Sequence, residues 1–243
     1  MKKLNILYIP LVLCFFALLL YSCEFINCID GNGFITTESR IVSEFSAVEN
    51  TTSYDVDVIA DSVFSVEVTG DENLLYFINT YVRHGNLIVE VDYNRCINPS
   101  SYMLIEVHMP ALEMVELTGS GDIDVYGFNS NYLEIKNSGS GDIDLMDIYS
   151  PNTIDIVVSG SGDVSISGKA RRGDYLLTGS GDIVADDLKV DECYITTTGS
   201  GNIYCYVYDL LNVTISGSGD VYYSGSPEIH LVNTGSGDLR ERN

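Results

Sequence analysis

Paired aspartates recur at one position of a repeated phrase, and they carry the clearest chemistry in this chain. Asp122 and Asp124 flank one isoleucine, and Asp142 and Asp144 flank another 20 residues later. Alternation places both members of a pair on the outward face of a strand. Four stacked carboxylates either acquire raised pKa values or bind a cation, and oxygen-rich clusters suit Ca²⁺. A calcium site at these four residues is therefore one prediction; the favoured interpretation is that each corner aspartate accepts N–H groups of its turn in open solvent.

Three tyrosines form a second candidate surface. Tyr204, Tyr206 and Tyr222 occupy outward strand positions, where aromatic rings offer an apolar face with a polar tip for stacking on sugars. The alternative is a solvated strand face, since the chain has 17 tyrosines and no tryptophan.

The tripeptide Arg172-Gly173-Asp174 matches a motif read by some adhesion receptors, but Asp174 is equally explained as the start of a strand.

Catalytic residues do not converge in the sequence. His84, His108 and His230 are scattered, no GxSxG or HExxH motif occurs, and Asp186-Asp187 resembles a solvated acidic pair. General acid–base chemistry on polysaccharides needs a paired acid and base in a cleft. We therefore predict a protein that is not an enzyme and uses no cofactor, with Ca²⁺ as the one metal considered.

The cysteines indicate an oxidising compartment. Cys28 and Cys96 lie among polar residues outside the repeats, and we consider a disulfide between them. Cys193 and Cys205 fall at inward positions of one repeat, where a buried thiol pair and a bridge are both open.

The N-terminus is typical of a bacterial lipoprotein. Met1-Lys2-Lys3 precedes an apolar run over residues 4–20, and Leu20-Tyr21-Ser22-Cys23 resembles a lipobox, although Tyr21 departs from it. We predict a signal peptide over 1–22 and a lipid, such as palmitate, on Cys23 that holds the protein in the envelope, as an outer-membrane lipoprotein that is periplasmic or surface-exposed. An uncleaved membrane anchor is the alternative.

The strongly negative net charge limits the classes of partner that the protein can bind. The net charge is −23, and removal of Lys2 and Lys3 leaves 10 basic against 35 acidic residues, or −25. Nucleic acid binding requires clustered basic residues, so it is excluded as a function, and anionic lipid is disfavoured as an electrostatic partner.

A repeated GSG corner must position these side chains. Its first glycines are spaced by 20, 21, 19, 20, 18 and 18 residues, a period typical of stacked rungs. Apolar residues alternate on both flanks, so each repeat predicts strand, corner, strand, with the corner glycines supplying backbone angles that other residues resist. A meander of hairpins is the alternative. The seven corners begin at Gly119, Gly139, Gly160, Gly179, Gly199, Gly217 and Gly235.

Length differences between repeats fall opposite the GSG corner. We predict a variable loop edge there and treat it as a recognition surface. Residues 39–116 alternate strongly but lack the corner, so they are predicted to form irregular rungs, with Val68-Thr69-Gly70-Asp71 as an abbreviated corner. The predicted order is signal peptide 1–22, lipidated linker 23–38, irregular rungs 39–116 and GSG solenoid 117–243. The variable segments are 128–131, 147–152, 168–173, 186–192 and 208–210.

Several short motifs occur together in the chain: Gly31-Asn32-Gly33, Arg40 with Phe45 and Val48, Asp71-Glu72-Asn73-Leu74, Gly85-Asn86-Leu87, Pro110 with Leu112, and the GSG series. With these motifs the chain resembles the putative auto-transporter adhesin, head GIN domain family. The resemblance implies an all-β fold, a right-handed parallel β-helix with two sheets in a single elongated domain, in an envelope lipoprotein associated with adhesion and with no established catalytic residues. Partners would be the membrane through Cys23, a host or envelope glycan or protein, and a second copy of the chain. A structural envelope component is the alternative function, and a polysaccharide-acting enzyme is less favoured.

Overall fold

A computed structural model describes residues 28–93 and 95–242. The predicted signal peptide and the lipidation site Cys23 lie outside these residues. Within them, no helix has the length and apolar character needed to span a membrane.

The described residues contain 19 strands and one short 3-10 helix, Leu75–Phe77. Val, Ile, Leu and Tyr alternate with polar residues through most of the strands, which suits a half-buried pleated surface. The strands are β1 Ile29–Asp30, β2 Ile35–Arg40, β3 Ala47–Asn50, β4 Asp55–Ala60, β5 Ser65–Asp71, β6 Ile78–Arg83, β7 Asn86–Val91, β8 Ile97–Asn98, β9 Leu104–Met109, β10 Met114–Leu117, β11 Ile123–Tyr126, β12 Tyr132–Asn137, β13 Ile143–Val158, β14 Val164–Leu177, β15 Ile183–Thr197, β16 Ile203–Ile215, β17 Val221–Gly225, β18 Glu228–Asn233 and β19 Leu239–Glu241.

Two ladders of parallel strands form the solenoid. Sheet A contains β7, β3, β10, β12, the C-terminal halves of β13 to β16, and β18. Sheet B contains β9, β4, β11, the N-terminal halves of β13 to β16, β17 and β19. Equivalent residues pair one rung apart; Ile143 aligns with Val164, and Ile156 with Tyr175. The predicted two-sheet parallel solenoid is confirmed, and the hairpin meander is wrong.

The N-terminal part does not follow chain order. β3 lies between β7 and β10 in sheet A, and β4 lies between β9 and β11 in sheet B. At the outer end, β6 pairs antiparallel with β7, β5 with β9, and β2 with β5. These antiparallel strands cover the end of the stack and satisfy its edge hydrogen bonds.

The predicted abbreviated corner at Val68 to Asp71 is wrong, because β5 runs antiparallel to its neighbours. The first corner of the stack is instead the segment 51–54, which contains no glycine. There the N–H groups of Gly119 and Ser120 donate to the carbonyl oxygens of Asn50 and Thr52, at 3.3 and 3.0 Å. The column of stacked corners therefore begins one rung before Gly119, which is the first corner glycine.

The corner glycines are required by close packing rather than by backbone angle. A Cβ on Gly179 would lie 2.1 Å from the carbonyl oxygen of Gly160, and one on Gly181 would lie 2.0 Å from that of Gly162. None of the described corner glycines has a positive φ, so the expected reason for these glycines is wrong. Each corner sits directly on the one below it, and only a hydrogen fits between them.

The interior is one continuous cluster of apolar side chains from Phe45 to Val221. Inward asparagines at the corner are satisfied locally, as Asn137 Nδ2 donates to the carbonyl oxygen of Gly141 at 2.8 Å while its Oδ1 accepts from the Gly139 N–H at 3.1 Å. Cys193 and Cys205 are buried free thiols beside Tyr175, so they contribute packing and no bridge.

The predicted variable loop edge is wrong in its local structure for four of its five segments, whereas the segment 128–131 does lie between strands, after β11 and before β12. β13 to β16 run without interruption through the segments 147–152, 168–173, 186–192 and 208–210. Length differences are absorbed as bulges; between β15 and β16, for example, Ala185 and Lys189 pair with the consecutive residues Cys205 and Tyr206. Extra residues thus bend a strand locally and re-aim its side chains.

Candidate functional site

An outward row of side chains crosses sheet B from one end of the stack to the other, and we call it the sheet B row. Its members occupy equivalent positions on successive strands, about 4.8 Å apart. The row changes from acidic to aromatic along the stack. In stack order it contains Glu67, Glu106, Asp57, Asp124, Asp144, Ser165, Val184, Tyr204, Tyr222 and Arg240.

The first half of the sheet B row is a stack of five carboxylates. Partial burial, followed by repulsion from Asp124 and Glu106, raises the pKa of Asp57. Burial, followed by repulsion from Asp144, raises the pKa of Asp124 in the same way. This part of the surface therefore repels anions and favours neutral or cationic partners.

The corner aspartates form a separate hydrogen-bond ladder. Asp122 Oδ1 accepts the N–H of Asp142 at 2.8 Å, and Asp142 Oδ1 accepts the N–H of Asp163 at 2.7 Å. Asn202 continues the ladder, since its Oδ1 accepts the N–H of Asp220 at 3.1 Å. Each corner side chain thus fixes the backbone of the next rung.

The predicted calcium site is not supported by this geometry. Asp122 and Asp142 are used by the corner ladder, whereas Asp124 and Asp144 belong to the sheet B row. Across residues 28–93 and 95–242, no group of three or more carboxylate, imidazole or thiol side chains could hold a metal ion.

The other end of the sheet B row carries the predicted tyrosine surface. The rings of Tyr204 and Tyr222 stack with centroids 5.0 Å apart and planes 9° apart. Arg242 lies 5.6 Å from the Tyr204 ring, and Arg240 lies 5.8 Å from the Tyr222 ring. The structure therefore brings Tyr204 and Tyr222 together as a flat aromatic pair bordered by guanidinium groups.

Tyr206 lies two residues further along the same strand and faces the bulged edge. Its ring contacts Lys189, whose Nζ lies 4.0 Å from the centroid, and packs edge-on against Tyr208 at 5.2 Å. Lys189 Nζ also donates to the carbonyl oxygen of Asp186 at 2.6 Å, and Arg242 forms an ion pair with the Asp186 carboxylate at 3.1 Å. These contacts hold the edge beside the tyrosines in one arrangement.

The Arg172-Gly173-Asp174 tripeptide lies within β14 on sheet A. Arg172 Nε donates to both carboxylate oxygens of Asp174, at 2.8 and 2.9 Å, and its guanidinium packs 4.0 Å from the Tyr194 ring. Because the charged groups bind each other within a strand, this tripeptide does not present the exposed loop that a receptor motif needs.

The strongest catalytic candidate is His108, which lies opposite Ser65 in the antiparallel pair. Its Nε2 contacts Glu106 at 2.9 Å and its Nδ1 lies 3.4 Å from Asp61. Both ring nitrogens face carboxylates, so neither is directed at a nucleophile as a triad requires. This pairing indicates a structural role for His108.

A groove that is not evident from the sequence lies at the bulged edge, between the segments 111–114 and 129–132. The signal was present as Asn129, Asn131 and Tyr132 in a variable segment, but their neighbours across the stack come from residues 46–86 and become adjacent only when β3 inserts between β7 and β10.

These features define a class of protein: a parallel β-solenoid whose flat faces present rows of outward side chains. The profile of the family described as "Putative auto-transporter adhesin, head GIN domain" matches residues 44–227, and the chain belongs to that family. The family places the chain among proteins of the cell envelope or surface.

Solved structures share the fold. A putative adhesin from Bacteroides fragilis is 23% identical with a TM-score of 0.84, over 88% of this chain and 100% of the other. A putative adhesin from Parabacteroides merdae is 22% identical with a TM-score of 0.73, over 89% and 100%. A protein from Parabacteroides distasonis, described as a putative lipid binding protein, is 24% identical with a TM-score of 0.72, also over 89% and 100%. No curated protein matches the chain.

Proposed function

We propose that this chain is a non-enzymatic adhesin-type protein of the bacterial envelope that binds a glycan or protein surface through the sheet B row. The observation that carries the proposal is the stacked pair Tyr204 and Tyr222, which stands at the end of a row of outward side chains and between two arginines. Tyrosine and arginine are the residues that most often dominate binding surfaces.

Rigidity supports a binding role. The strands beneath the tyrosine pair are fixed by parallel ladders on both sides, and Arg240 is held by Asp220 at 3.1 Å and by Asp238 at 3.0 Å. A surface that is already ordered loses little conformational entropy when a partner binds. The acidic half of the row disfavours anionic partners, so the partner is a neutral glycan or a neutral to basic protein.

Anchoring through lipid on Cys23 is part of the proposal. The disulfide between Cys28 and Cys96 supports an oxidising location such as the periplasm or the cell surface, since such bonds are rare in the cytosol. Only four residues separate Cys23 from Cys28 in the sequence, so a lipid at Cys23 would hold the stack close to the membrane.

Two other functions give distinct outcomes. A structural envelope component has no specific ligand, and a lipid-binding role is suggested only by the description of the Parabacteroides distasonis protein. In this chain the interior is filled by fully buried side chains such as Ile135, Ile156 and Leu177, so an acyl chain would have to bind outside the stack.

The test is a binding screen of the full chain in a detergent without a sugar headgroup, against immobilised envelope polysaccharides, host glycans and matrix proteins. We expect saturable binding to at least one surface and loss of about tenfold or more in affinity in the double variant Tyr204→Ser, Tyr222→Ser. Tyr76→Ser is the control, since Tyr76 is 81% exposed and lies at the opposite end of the chain's fold. Absence of binding to every surface would favour a structural component, and polysaccharide turnover lost on mutation of Asp124 or Asp144 would indicate an enzyme.

A further inference from the structure

We infer that the groove at the bulged edge of sheet A binds a neutral saccharide, an inference that rests on the proposed adhesin function and assigns it a second contact site. We call this cavity of 630 Å³ the edge groove. Its volume lies within the range of about 300 to 1,000 Å³ that is typical of ligand sites. Its lining includes Ala47, Asn86, Met114, Asn129, Asn131 and Tyr132.

A short side chain in a row of longer ones creates the floor of the groove. On the outward face of sheet A, Asn86, Ala47, Met114 and Glu134 occupy one row on four successive strands. Ala47 is the smallest of them and is 3% exposed, so the surface is depressed where its methyl group replaces a longer side chain. Met114 completes an apolar and adaptable floor.

The walls of the groove are fixed by contacts made behind them. Ser130 Oγ donates to the carbonyl oxygen of Leu112 at 2.5 Å, which ties the two flanking segments together. Phe128 is 1% exposed and anchors the start of the 129–132 segment in the core. The groove is therefore preformed, which lowers the entropic cost of binding.

The rim offers the chemistry of sugar recognition. Asn86, Asn129 and Asn131 each carry an amide that both donates and accepts, which matches a hydroxyl group that does the same. Tyr132 is 45% exposed, and its ring can cover the apolar face of a sugar while the hydroxyls meet the amides.

The charges at the groove select a neutral ligand over a cation. Glu134 is paired with Lys136 at 2.8 Å, and Glu113 accepts a hydrogen bond from Ser46 Oγ at 2.9 Å. Lys136 offsets the charge of Glu134, whereas the Ser46 hydroxyl is neutral and leaves the negative charge of the exposed Glu113 in place. An amine could therefore form at most one exposed ion pair in the groove, which adds little to affinity. The unpaired charge of Glu113 repels uronic acids and other anionic sugars.

The experiment is saturation-transfer difference NMR on the full chain in a detergent without a sugar headgroup. The probes are methyl hexosides and N-acetylhexosamines, with a uronic acid and spermidine as charged comparisons. We expect saturable transfer to at least one neutral sugar and none to the charged probes. Asn129→Ala with Asn131→Ala should weaken binding at least tenfold, and Ala47→Leu, which fills the floor, should abolish it.

Asn212→Ala is the matched control, because Asn212 is also outward on sheet A but lies at the other end of the stack. Circular dichroism and Tm show whether each variant folds, and Asn131→Asp serves in place of any that does not, since it replaces the donor with an additional charge. The inference is overturned if no neutral sugar binds, if spermidine or the uronic acid binds instead, or if the groove variants bind like wild type.

The two proposals fail separately. If the groove binds no sugar but the screen still shows binding that depends on Tyr204 and Tyr222, the edge groove is wrong and the adhesin proposal stands. If sugars bind in the groove but the chain attaches to no surface, the adhesin proposal is wrong.

Discussion

The buried carboxylate of Asp71 binds the backbone N–H of Gly33 at 2.7 Å, so a residue that ends β5 holds the loop before β2. The same carboxylate accepts the N–H and the hydroxyl of Ser100, at 2.8 and 2.6 Å. A Cβ on Gly31 would lie 2.3 Å from Asp71 Oδ2. One side chain thus joins three segments at the covered end of the stack, beside the disulfide that links Cys28 to Cys96.

The Asp71 junction predicts a steric and a pH effect. Gly31→Ala should lower the free energy of unfolding by about 1–3 kcal/mol, because the methyl group displaces the carboxylate. Hydrogen bonds from Ser100 lower the pKa of Asp71, so its contribution is present above the usual value of 3.8 and is lost as the pH falls through the lower folded value. Asp71→Asn should lower Tm at neutral pH and should remove the loss of stability at acidic pH. Glu72→Gln is the control and should change neither. An unchanged Tm for Asp71→Asn would show that the Asp71 carboxylate does not hold these segments together.

The carboxylate stack of the sheet B row predicts the opposite pH dependence. The pKa values of Asp57 and Asp124 are raised, so the folded state retains protons that the unfolded state has released above the usual value of 3.8. Stability should therefore fall as the pH rises through that window. Asp124→Asn should raise Tm at pH 7 and flatten this dependence, and Asp209→Asn, an exposed carboxylate outside the row, is the control. A lower Tm for Asp124→Asn would show that the Asp124 carboxylate stabilises the fold at pH 7 and would contradict this prediction.

The corner ladder predicts that asparagine can replace aspartate where alanine cannot. Asp142→Asn keeps the oxygen that accepts the Asp163 N–H, as Asn202 does naturally for Asp220. Asp142→Ala should cost about 1 kcal/mol in the free energy of unfolding, and Asp142→Asn should cost nothing measurable. Ca²⁺ should leave Tm unchanged relative to NaCl of equal ionic strength. Stabilisation by Ca²⁺ that disappears in Asp142→Asn would restore the calcium hypothesis.

Corner packing predicts a large penalty for one methyl group. Gly199→Ala would place a Cβ 2.1 Å from the carbonyl oxygen of Gly179, so the corner must shift or separate. We expect a loss of about 1–3 kcal/mol or more by urea unfolding, against a change within about 0.5 kcal/mol for the exposed neighbour Ser180→Ala. Equal stability of the two variants would mean that the corners are not in contact.

Periodicity was sufficient to predict the stack of the C-terminal half. Residues such as Val115, Ile135 and Ile156 recur at the same offset from the corner, and only stacking aligns them in one core column. The inward amide of Asn137 is tolerated for a local reason, because a buried amide needs partners and the corner backbone supplies them.

Other features depended on contacts between distant segments. The sequence offers no marker that β3 inserts between β7 and β10, because strand order is set by non-local pairing. The edge groove is a product of that insertion. The steric role of Gly179 could not be predicted either, because the sequence does not distinguish a glycine required by close packing from one required by a positive φ.

The outward tyrosine pair is proposed to bind a surface, and the affinity of the full chain for the strongest surface found in the screen tests this claim. The claim predicts that Tyr204→Ser with Tyr222→Ser raises Kd about tenfold or more while Tm changes little, and that Tyr76→Ser leaves Kd unchanged. An unchanged Kd in the folded double variant would contradict it.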